Sequence, residues 1–115
     1  MATIYGIRNC DTMKKAMAWL DAHGIAYQFH DYKKAGIDTI TLEGWLTRTD
    51  RNTLVNTRGT TWRKLATAEQ DVSTDAKAIA LMCAHPSLIK RPVLDTGDAL
   101  LVGFKPDTYA AHFGV

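Results

Sequence analysis

The stretch IYGIRNCDTMKKAMAWL, residues 4–20, decides the fold because its hydrophobic pattern changes at a single cysteine, Cys10. The stretch begins as an apolar run, which is typical of a short buried strand. Beyond Cys10, four apolar residues recur at the spacing of one helix face: Met13, Ala16, Met17 and Leu20. Asp11 and Thr12 suit the start of that helix, because short polar side chains can accept hydrogen bonds from free backbone N–H groups. The pattern therefore places Cys10 where a strand ends and a helix begins.

A cysteine at the start of a helix has distinctive chemistry. The first turn carries unpaired N–H groups and about half a positive charge, which favours a thiolate over a thiol. Arg8, Lys14 and Lys15 lie close in sequence and add positive charge, whereas Asp11 opposes it. Free thiols titrate near ~8.5, and helix N-termini with cationic neighbours can lower this to about 3.5–7.5. These residues alone leave two interpretations of Cys10 open: a reactive single thiol, or a small core residue at a strand end.

Length and composition set the class of protein. The chain has 115 residues, of which 46% are hydrophobic and 23% charged, with a formal net charge of +2. These values are ordinary for one soluble globular domain. We expect a single domain over residues 1–115, with no membrane span and no signal peptide, and therefore a cytoplasmic protein. In that reducing compartment Cys10 and Cys83 are not expected to form a disulfide.

The first half of the chain predicts a βαβ unit followed by helices. Residues 3–7 and 25–32 have strand patterns on either side of the first helix, which is expected to stop at Gly24. A polar loop at residues 33–38 precedes a helical insertion over about 39–85. Within that insertion the spacing predicts helices at 39–48, at 62–66, and from a cap at Ser73 or Thr74 to about 83.

The last third returns to β structure. Residues 92–96 and 100–103 are short apolar runs on either side of Gly97-Asp98, a plausible hairpin turn. Pro106 then begins a final helix, since proline fits the first turn. The predicted fold is an α/β, thioredoxin-like mixed sheet with the order β-α-β, helical insertion, β-β-α.

Three basic residues precede a glycine or a proline: Arg58, Arg91 and Lys105. In the predicted fold the chain before Pro92 returns beside Cys10, and an Arg-Pro bond there can be cis. Guanidinium groups of Arg58 and Arg91 could then surround the thiolate and bind a carboxylate or a tetrahedral oxyanion through paired hydrogen bonds. Each residue alone is more ordinarily a solvated surface charge. Their combination with a cysteine at a strand-to-helix corner favours a site.

Two other kinds of site are weaker candidates. Cys83 and His85 offer two metal ligands without a second pair, so we expect no metal site. A basic middle region could face a nucleic acid: Arg48, Arg51, Arg58, Arg63 and Lys64. Nearby acidic residues and the small net charge argue against a nucleic-acid partner.

Four segments of the chain together resemble a known family. They are YGIRNCDTMKKA at residues 5–16, NTRGTTWRKL at 56–65, PSLIKRP at 86–92, and Gly103-Phe104. The sequence resembles the arsenate reductase-like branch of the thioredoxin superfamily, and within it the small bacterial YffB-like proteins. That resemblance implies a glutathione-dependent thiol reductase.

The resemblance also implies roles for individual residues. The cysteine matching Cys10 is the nucleophile, and the arginines matching Arg58 and Arg91 bind an oxyanion and steady the thiolate. Five further residues are candidates for shaping the site or binding the anion: Asn9, Asp11, Lys14, Pro92 and Lys105. No bound cofactor is implied. Glutathione would be a co-substrate that supplies the resolving thiol, and glutaredoxin would be a further partner.

Two departures from the family pattern bear on the substrate. Arsenate reductases carry a third arginine where this chain has Lys105, and a serine or threonine where it has Met13. Both differences favour glutathione or a glutathionylated partner over arsenate. The superfamily also contains Spx-type regulators that bind RNA polymerase, many with a C-x-x-C switch that Met13 interrupts here. A polymerase-binding regulator is therefore the main alternative to an enzyme.

Overall fold

The first strand, β1 (Ala2–Gly6), lies in the middle of a four-stranded sheet in the computed structural model, which describes residues Met1–Val115. The sheet has the order β2-β1-β3-β4, with β2 at Tyr27–Asp31, β3 at Val93–Asp95 and β4 at Leu100–Val102. β1 pairs in parallel with β2 and antiparallel with β3, and β3 pairs antiparallel with β4. This arrangement confirms the predicted thioredoxin-like mixed sheet.

One face of this sheet is covered by two helices, α1 (Asp11–Ala22) and α7 (Pro106–Phe113). The core that they share consists of fully or nearly fully buried side chains from both helices and from two strands, β1 and β3. Its members are Ala2, Ile4, Met13, Ala16, Leu20, Leu94 and Tyr109. Three of the four apolar residues that the helical spacing placed on one face of α1 are buried, and the fourth, Met17, is partly buried against the same core. α1 ends as expected, because Gly24 adopts a left-handed φ of 67°.

Contacts within the chain group it into two compact units. The first unit comprises Met1–Asp31 and Arg91–Val115, and the second comprises Tyr32–Lys90. The second unit corresponds to the predicted insertion of about 39–85, extended by several residues at each end. The prediction of one domain over residues 1–115 stays a prediction.

The second unit contains five α-helices: α2 (Tyr32–Ala35), α3 (Thr39–Trp45), α4 (Arg51–Leu54), α5 (Thr60–Lys64) and α6 (Asp75–Ala84). It also contains two short 3-10 helices, at Thr67–Glu69 and Pro86–Leu88. One of the α-helices corrects the predictions. Residues 33–38 are predicted to form only a loop, yet α2 begins at the buried Tyr32. α4 lies within the predicted helical insertion, where the sequence placed no separate helix, and its start is capped by Asp50 accepting a 2.8 Å hydrogen bond from Thr53 N. Such short helices lack the repeated apolar spacing that predicts the bounds of a helix.

The boundaries of the longer elements agree better with the predictions. α5 begins and ends two residues before the predicted bounds of 62–66, because the chain turns helical directly after Gly59. α6 is capped as predicted, with Thr74 Oγ1 accepting a 3.2 Å hydrogen bond from Lys77 N. α7 begins at Pro106, also as predicted. None of the helices combines the length and the apolar character needed to cross a bilayer.

Candidate functional site

Cys10 lies at the N-cap of α1, where the sequence placed it. Its backbone is extended, with φ −140° and ψ 124°, and its side chain makes no capping hydrogen bond. Its carbonyl oxygen accepts the first helical hydrogen bond from Lys14 N, at 3.0 Å. The side chain is half-buried, is a free thiol, and packs against the core of the first unit. Cys10 thus contacts the core while part of its surface remains open, and both interpretations of this cysteine stay predictions.

The shape of the Cys10 corner depends on Gly6, the last residue of β1. A Cβ atom at Gly6 would overlap the sulfur and methyl group of Met13. Met13 is completely buried, one turn into α1 from Cys10. The missing side chain at Gly6 therefore lets the first turn of α1 pack directly on the end of β1. It follows that the third position after Cys10 belongs to the core.

The strand register brings several predicted residues to the same end of the sheet as Cys10. Gly6, at the end of β1, pairs with Asp31, and Tyr5 pairs with Val93, the first residue of β3. Val93 in turn pairs with Val102, the last residue of β4. The segments that follow β1 and β4 and precede β3 therefore meet at one end of the sheet. These segments carry Cys10, Lys105, Arg91 and Pro92.

The Arg91-Pro92 peptide bond is cis, as the sequence analysis allowed. Pro92 is buried, and its carbonyl oxygen accepts a 2.8 Å hydrogen bond from Gly103 N, which ties the start of β3 to the chain after β4. Arg91 is half-buried, with its Nε atom inaccessible to solvent. Lys105 is exposed at the N-cap of α7. The first unit therefore places one guanidinium and one ammonium side chain at the end of the sheet that carries the thiol.

The remaining candidates of the first unit flank Cys10 along the chain. Asn9, Asp11 and Lys14 are all exposed, with Asp11 in the first turn of α1. Arg8 was noted in the sequence only for its charge. Its guanidinium carbon lies 5.6 Å from the centre of the Phe29 ring on β2, a cation–π contact that anchors the loop before Cys10.

Arg58 belongs to the second unit, where side chains fix its backbone from two directions. Its N–H donates to Asn56 Oδ1 at 3.1 Å, and its carbonyl oxygen accepts from Arg63 at 2.9 Å. A Cβ atom at Gly59 would lie 2.8 Å from Asn56 Nδ2, so the glycine leaves room for that carboxamide. The sequence Asn-Thr-Arg-Gly thus forms a tight polar loop that presents an exposed arginine side chain.

Arg58 lines a cavity of about 370 Å³ that lies wholly within the second unit. Its other lining residues are Asn52, Val55, Asn56, Thr57 and Lys90. The sequence analysis assigned Lys90 and the two asparagines no role. Asn56 could have been identified, since asparagine two residues before a backbone N–H commonly accepts its hydrogen bond. Lys90 had no such signal, because it is distant in sequence from Arg58.

Two arginines of the basic middle region, Arg51 and Arg63, form hydrogen bonds or ion pairs with other residues of the second unit. Arg51 donates 2.8 and 2.9 Å hydrogen bonds to the carbonyl oxygens of Val72 and Ser73, and it pairs with Asp75 at 2.9 Å. Arg63 binds the Arg58 carbonyl, as described above. The chain contains no cluster of three or more histidine, cysteine or acidic side chains that could hold a metal ion.

Comparison with known proteins agrees with this geometry. The YffB protein of known structure is 55% identical, with a TM-score of 0.92, over 96% of this chain and 97% of that one. An arsenate reductase-related protein from Brucella melitensis is 52% identical, with a TM-score of 0.75, over 99% and 95% of the two chains. The global transcriptional regulator Spx 1 of Lactococcus lactis is 29% identical over 96% of this chain and 88% of its own length.

The match to a family model is equally extensive. The ArsC family model matches residues 5–112, which include the Cys10 corner, the Arg58 loop and the Arg91-Pro92 segment. Because that match takes in nearly the whole chain, the protein belongs to the ArsC family.

Proposed function

We propose that this protein is a glutathione-dependent thiol–disulfide oxidoreductase of the reducing cytoplasm that uses Cys10 as its single nucleophile. One observation carries the proposal: a half-buried free cysteine at the N-cap of α1, with no capping hydrogen bond from its side chain. A sulfur in that position is close to the positive end of the helix dipole and to the unpaired N–H groups of the first turn. Membership of the ArsC family and the resemblance to YffB-like proteins support the same chemistry.

The position of Met13 supports a resolving thiol from outside the chain. A dithiol enzyme resolves its mixed disulfide with a second cysteine, commonly three residues after the first. Here that position is filled by a buried methionine packed on Gly6, and Cys83 belongs to the other unit. The resolving thiol is therefore expected to come from outside the chain, and glutathione is the abundant small thiol of a reducing cytoplasm.

The proposed cycle has two thiol–disulfide exchanges. The Cys10 thiolate attacks the glutathione sulfur of a glutathionylated partner, forming Cys10–S–S–glutathione and releasing the partner's thiolate. A glutathione thiolate then attacks the glutathione sulfur of that mixed disulfide. Oxidised glutathione leaves, and the Cys10 thiolate is restored. Each step forms one S–S bond and breaks another, so two electrons pass from glutathione to the partner and no bound cofactor is required.

The basic residues would bind the anionic parts of the reactants. Arg91, at the start of β3, is proposed to stabilise the thiolate and to bind a carboxylate, with Lys105 adding charge. Arg58 is proposed as a second anion-binding guanidinium, as its match in the family implies. Asn9, Asp11 and Lys14 would shape the entrance, and Pro92 would hold the backbone edge along which an extended substrate can lie.

Mass spectrometry after exposure to oxidised glutathione tests the proposal. We expect a mass increase of one glutathionyl group on Cys10, faster than on Cys83, which serves as an internal control in the same molecule. Cys10→Ser should abolish the fast modification and Cys83→Ser should leave it unchanged. Equal rates at the two cysteines, or none at Cys10, would refute the nucleophilic role.

Arsenate reduction is a second candidate because an arsenate reductase-related protein is 52% identical to this chain. Here the thiolate would attack arsenate, and glutathione and then glutaredoxin would complete the cycle. Turnover of arsenate with both partners tests it, with Lys105→Arg expected to raise the rate by supplying a planar guanidinium. No turnover by either protein would exclude arsenate as substrate.

A regulatory role is a third candidate because of the similarity to Spx 1. Under this proposal the protein binds RNA polymerase. Retention of purified RNA polymerase on the immobilised protein, with Cys10→Ser as a comparison, tests it directly. Failure to retain the polymerase would remove this candidate.

A further inference from the structure

The cavity beside Arg58 has the chemistry of an anion-binding site. Two of its six lining residues are cationic, Arg58 and Lys90, and none is acidic. The side chains of Asn52, Asn56 and Thr57 add amide and hydroxyl groups that can donate hydrogen bonds. Val55 provides one apolar surface. An anion entering this cavity would therefore meet two positive charges and several donors without a facing carboxylate.

The positions of the two cations are fixed by the backbone. Val55 and Ile89 form an isolated antiparallel bridge. Hydrogen bonds enclose it on both sides, from Asn56 N to Leu88 O at 2.7 Å and from Lys90 N to Leu54 O at 2.8 Å. This bridge holds the segment before the Arg58 loop against the segment that carries Lys90. The cavity walls thus come from two chain segments joined by main-chain hydrogen bonds rather than from independent surface side chains.

The size of the cavity exceeds what a small inorganic anion needs. Its volume of about 370 Å³ far exceeds the roughly 10–15 Å³ that a cavity needs to hold one water molecule. It lies at the small end of the range of about 300–1,000 Å³ that is typical of ligand sites. The carboxamides and the hydroxyl could pair with amide groups of a ligand as well as with its charge. A carboxylate attached to a peptide-like group fits this set better than a bare oxyanion does.

We propose that this cavity binds the carboxylate end of a small peptide, with Lys90 as a ligand-binding residue beside Arg58. This inference rests on the proposed function in one respect: the small peptide is identified as glutathione because glutathione is the proposed co-substrate. It assigns the specificity for the co-substrate to Lys90 together with the carboxamides of Asn52 and Asn56. A phosphate-type anion shares the charge but lacks the peptide group.

Calorimetric binding of S-methylglutathione to the full chain tests this proposal without any reaction at Cys10. We expect Lys90→Met to raise the dissociation constant by roughly five- to ten-fold, because a charge-assisted hydrogen bond is lost while the length of the side chain is kept. Lys64→Met, which removes an exposed lysine of the same unit outside the cavity, is the matched control and should change it little. Binding to the unmodified protein should weaken as salt is added.

Two further ligands show whether the cavity prefers a peptide carboxylate or a simple inorganic anion. Esterified S-methylglutathione, which lacks the carboxylates, should bind no better to the unmodified protein than to Lys90→Met. Inorganic phosphate should bind more weakly than S-methylglutathione, and tighter binding of phosphate would overturn the peptide assignment. Equal affinities of Lys90→Met and Lys64→Met for S-methylglutathione, with both folded by circular dichroism, would overturn the role of Lys90.

The outcome is distinguishable from that of the proposed function. If Lys90→Met binds S-methylglutathione as tightly as the unmodified protein does while Cys10 still forms its mixed disulfide with glutathione, the enzyme proposal stands and the cavity proposal fails. If Cys10 is inert while S-methylglutathione binds in a Lys90-dependent manner, the cavity proposal stands and the enzyme proposal fails.

Discussion

The Cys10 corner and the Arg58 loop are both shaped by a glycine that leaves room for a neighbouring side chain, but the neighbours differ. At Gly6 the space is filled by Met13, which is buried in the core of the first unit. At Gly59 the space is filled by the carboxamide of Asn56, which also accepts a hydrogen bond from Arg58 N. One candidate group is thus positioned by apolar packing and the other by polar contacts near the surface.

The difference has energetic consequences. Overfilling a packed core typically costs about 1–3 kcal/mol, and the whole unit feels the strain. Loss of one hydrogen bond near the surface typically costs about 1 kcal/mol, and the effect stays local. We therefore expect changes at the Cys10 corner to act through the stability of the fold. Changes at the Arg58 loop should act mainly on ligand binding.

The largest expected effect comes from breaking the packed corner with Gly6→Val. The new side chain overlaps Met13, so the free energy of unfolding should fall by about 1–3 kcal/mol despite the usual preference of strands for valine. Urea unfolding followed by circular dichroism measures this.

Gly44 provides a matched control within α3. A Cβ atom there meets nothing within 4 Å, so Gly44→Ala should raise the free energy of unfolding by up to about 1 kcal/mol through helix propensity. If Gly6→Val proves as stable as the unmodified protein, packing on Met13 does not position the corner.

The next effect comes from the polar loop. Asn56→Ala removes the acceptor of Arg58 N, so it should reduce the free energy of unfolding by about 1 kcal/mol. It should also weaken binding of S-methylglutathione by about three-fold, because the Arg58 loop is held less firmly and the Asn56 carboxamide is lost from the cavity. Parallel urea unfolding and calorimetry would measure both quantities.

Thr47→Ala is the control for that variant, because it deletes a 2.6 Å hydrogen bond to Gly44 O in the same unit without altering the loop. It should affect stability to a similar extent and leave binding unchanged. Equal binding by both variants would show that Asn56 does not position Arg58.

A smaller effect is expected from the cation–π contact that supports the Cys10 loop. Arg8→Ala should reduce the free energy of unfolding by about 0.5–1 kcal/mol, the range for exposed contacts of this kind. It should also slow the reaction of Cys10 with an anionic disulfide more than with a neutral alkylating reagent, since a nearby positive charge is lost. Lys15→Ala removes the same charge from an exposed site in α1 and is the comparison. Identical rates in the two variants would argue that the contact with Phe29 contributes nothing beyond charge.

The smallest effect concerns how the free energy of unfolding of the second unit depends on pH. Hydrogen bonds from Ser73 and Lys77 hold the pKa of Asp71 well below its ordinary value of 3.8. Because the folded-state pKa is lowered, the stabilisation is fully present above the unfolded-state value and is lost as the pH falls through the folded-state one. Asp71→Asn should therefore flatten the acid side of a stability-against-pH curve. Asp98→Asn, in the β3–β4 turn of the first unit, is the comparison, and an equal change in both variants would contradict this assignment.

The local sequence pattern was sufficient to predict those helices and strands whose apolar residues recur at a clear spacing. The helix spacing after Cys10 predicted the buried face of α1, and Pro106 predicted the start of α7. The loop predicted at residues 33–38 was wrong, because α2 forms there, and α4 was predicted only as part of the helical insertion. Each helix is four residues long, α2 with a buried tyrosine and α4 with an aspartate cap. A helix of one turn has no period to detect, so tertiary contacts decide whether it forms.

The candidate site likewise has features that the local sequence predicts and features that depend on tertiary contacts. The sequence by itself determined the chemical groups and the strand-to-helix corner at Cys10, because local hydrophobic period and capping act over a few neighbouring residues. Only the tertiary structure decided that Met13 fills the space at Gly6, that Lys105 comes to the end of the sheet that carries Cys10, and that Lys90 shares a cavity with Arg58. These relations depend on strand register and on main-chain bridges between distant segments, which no local pattern specifies.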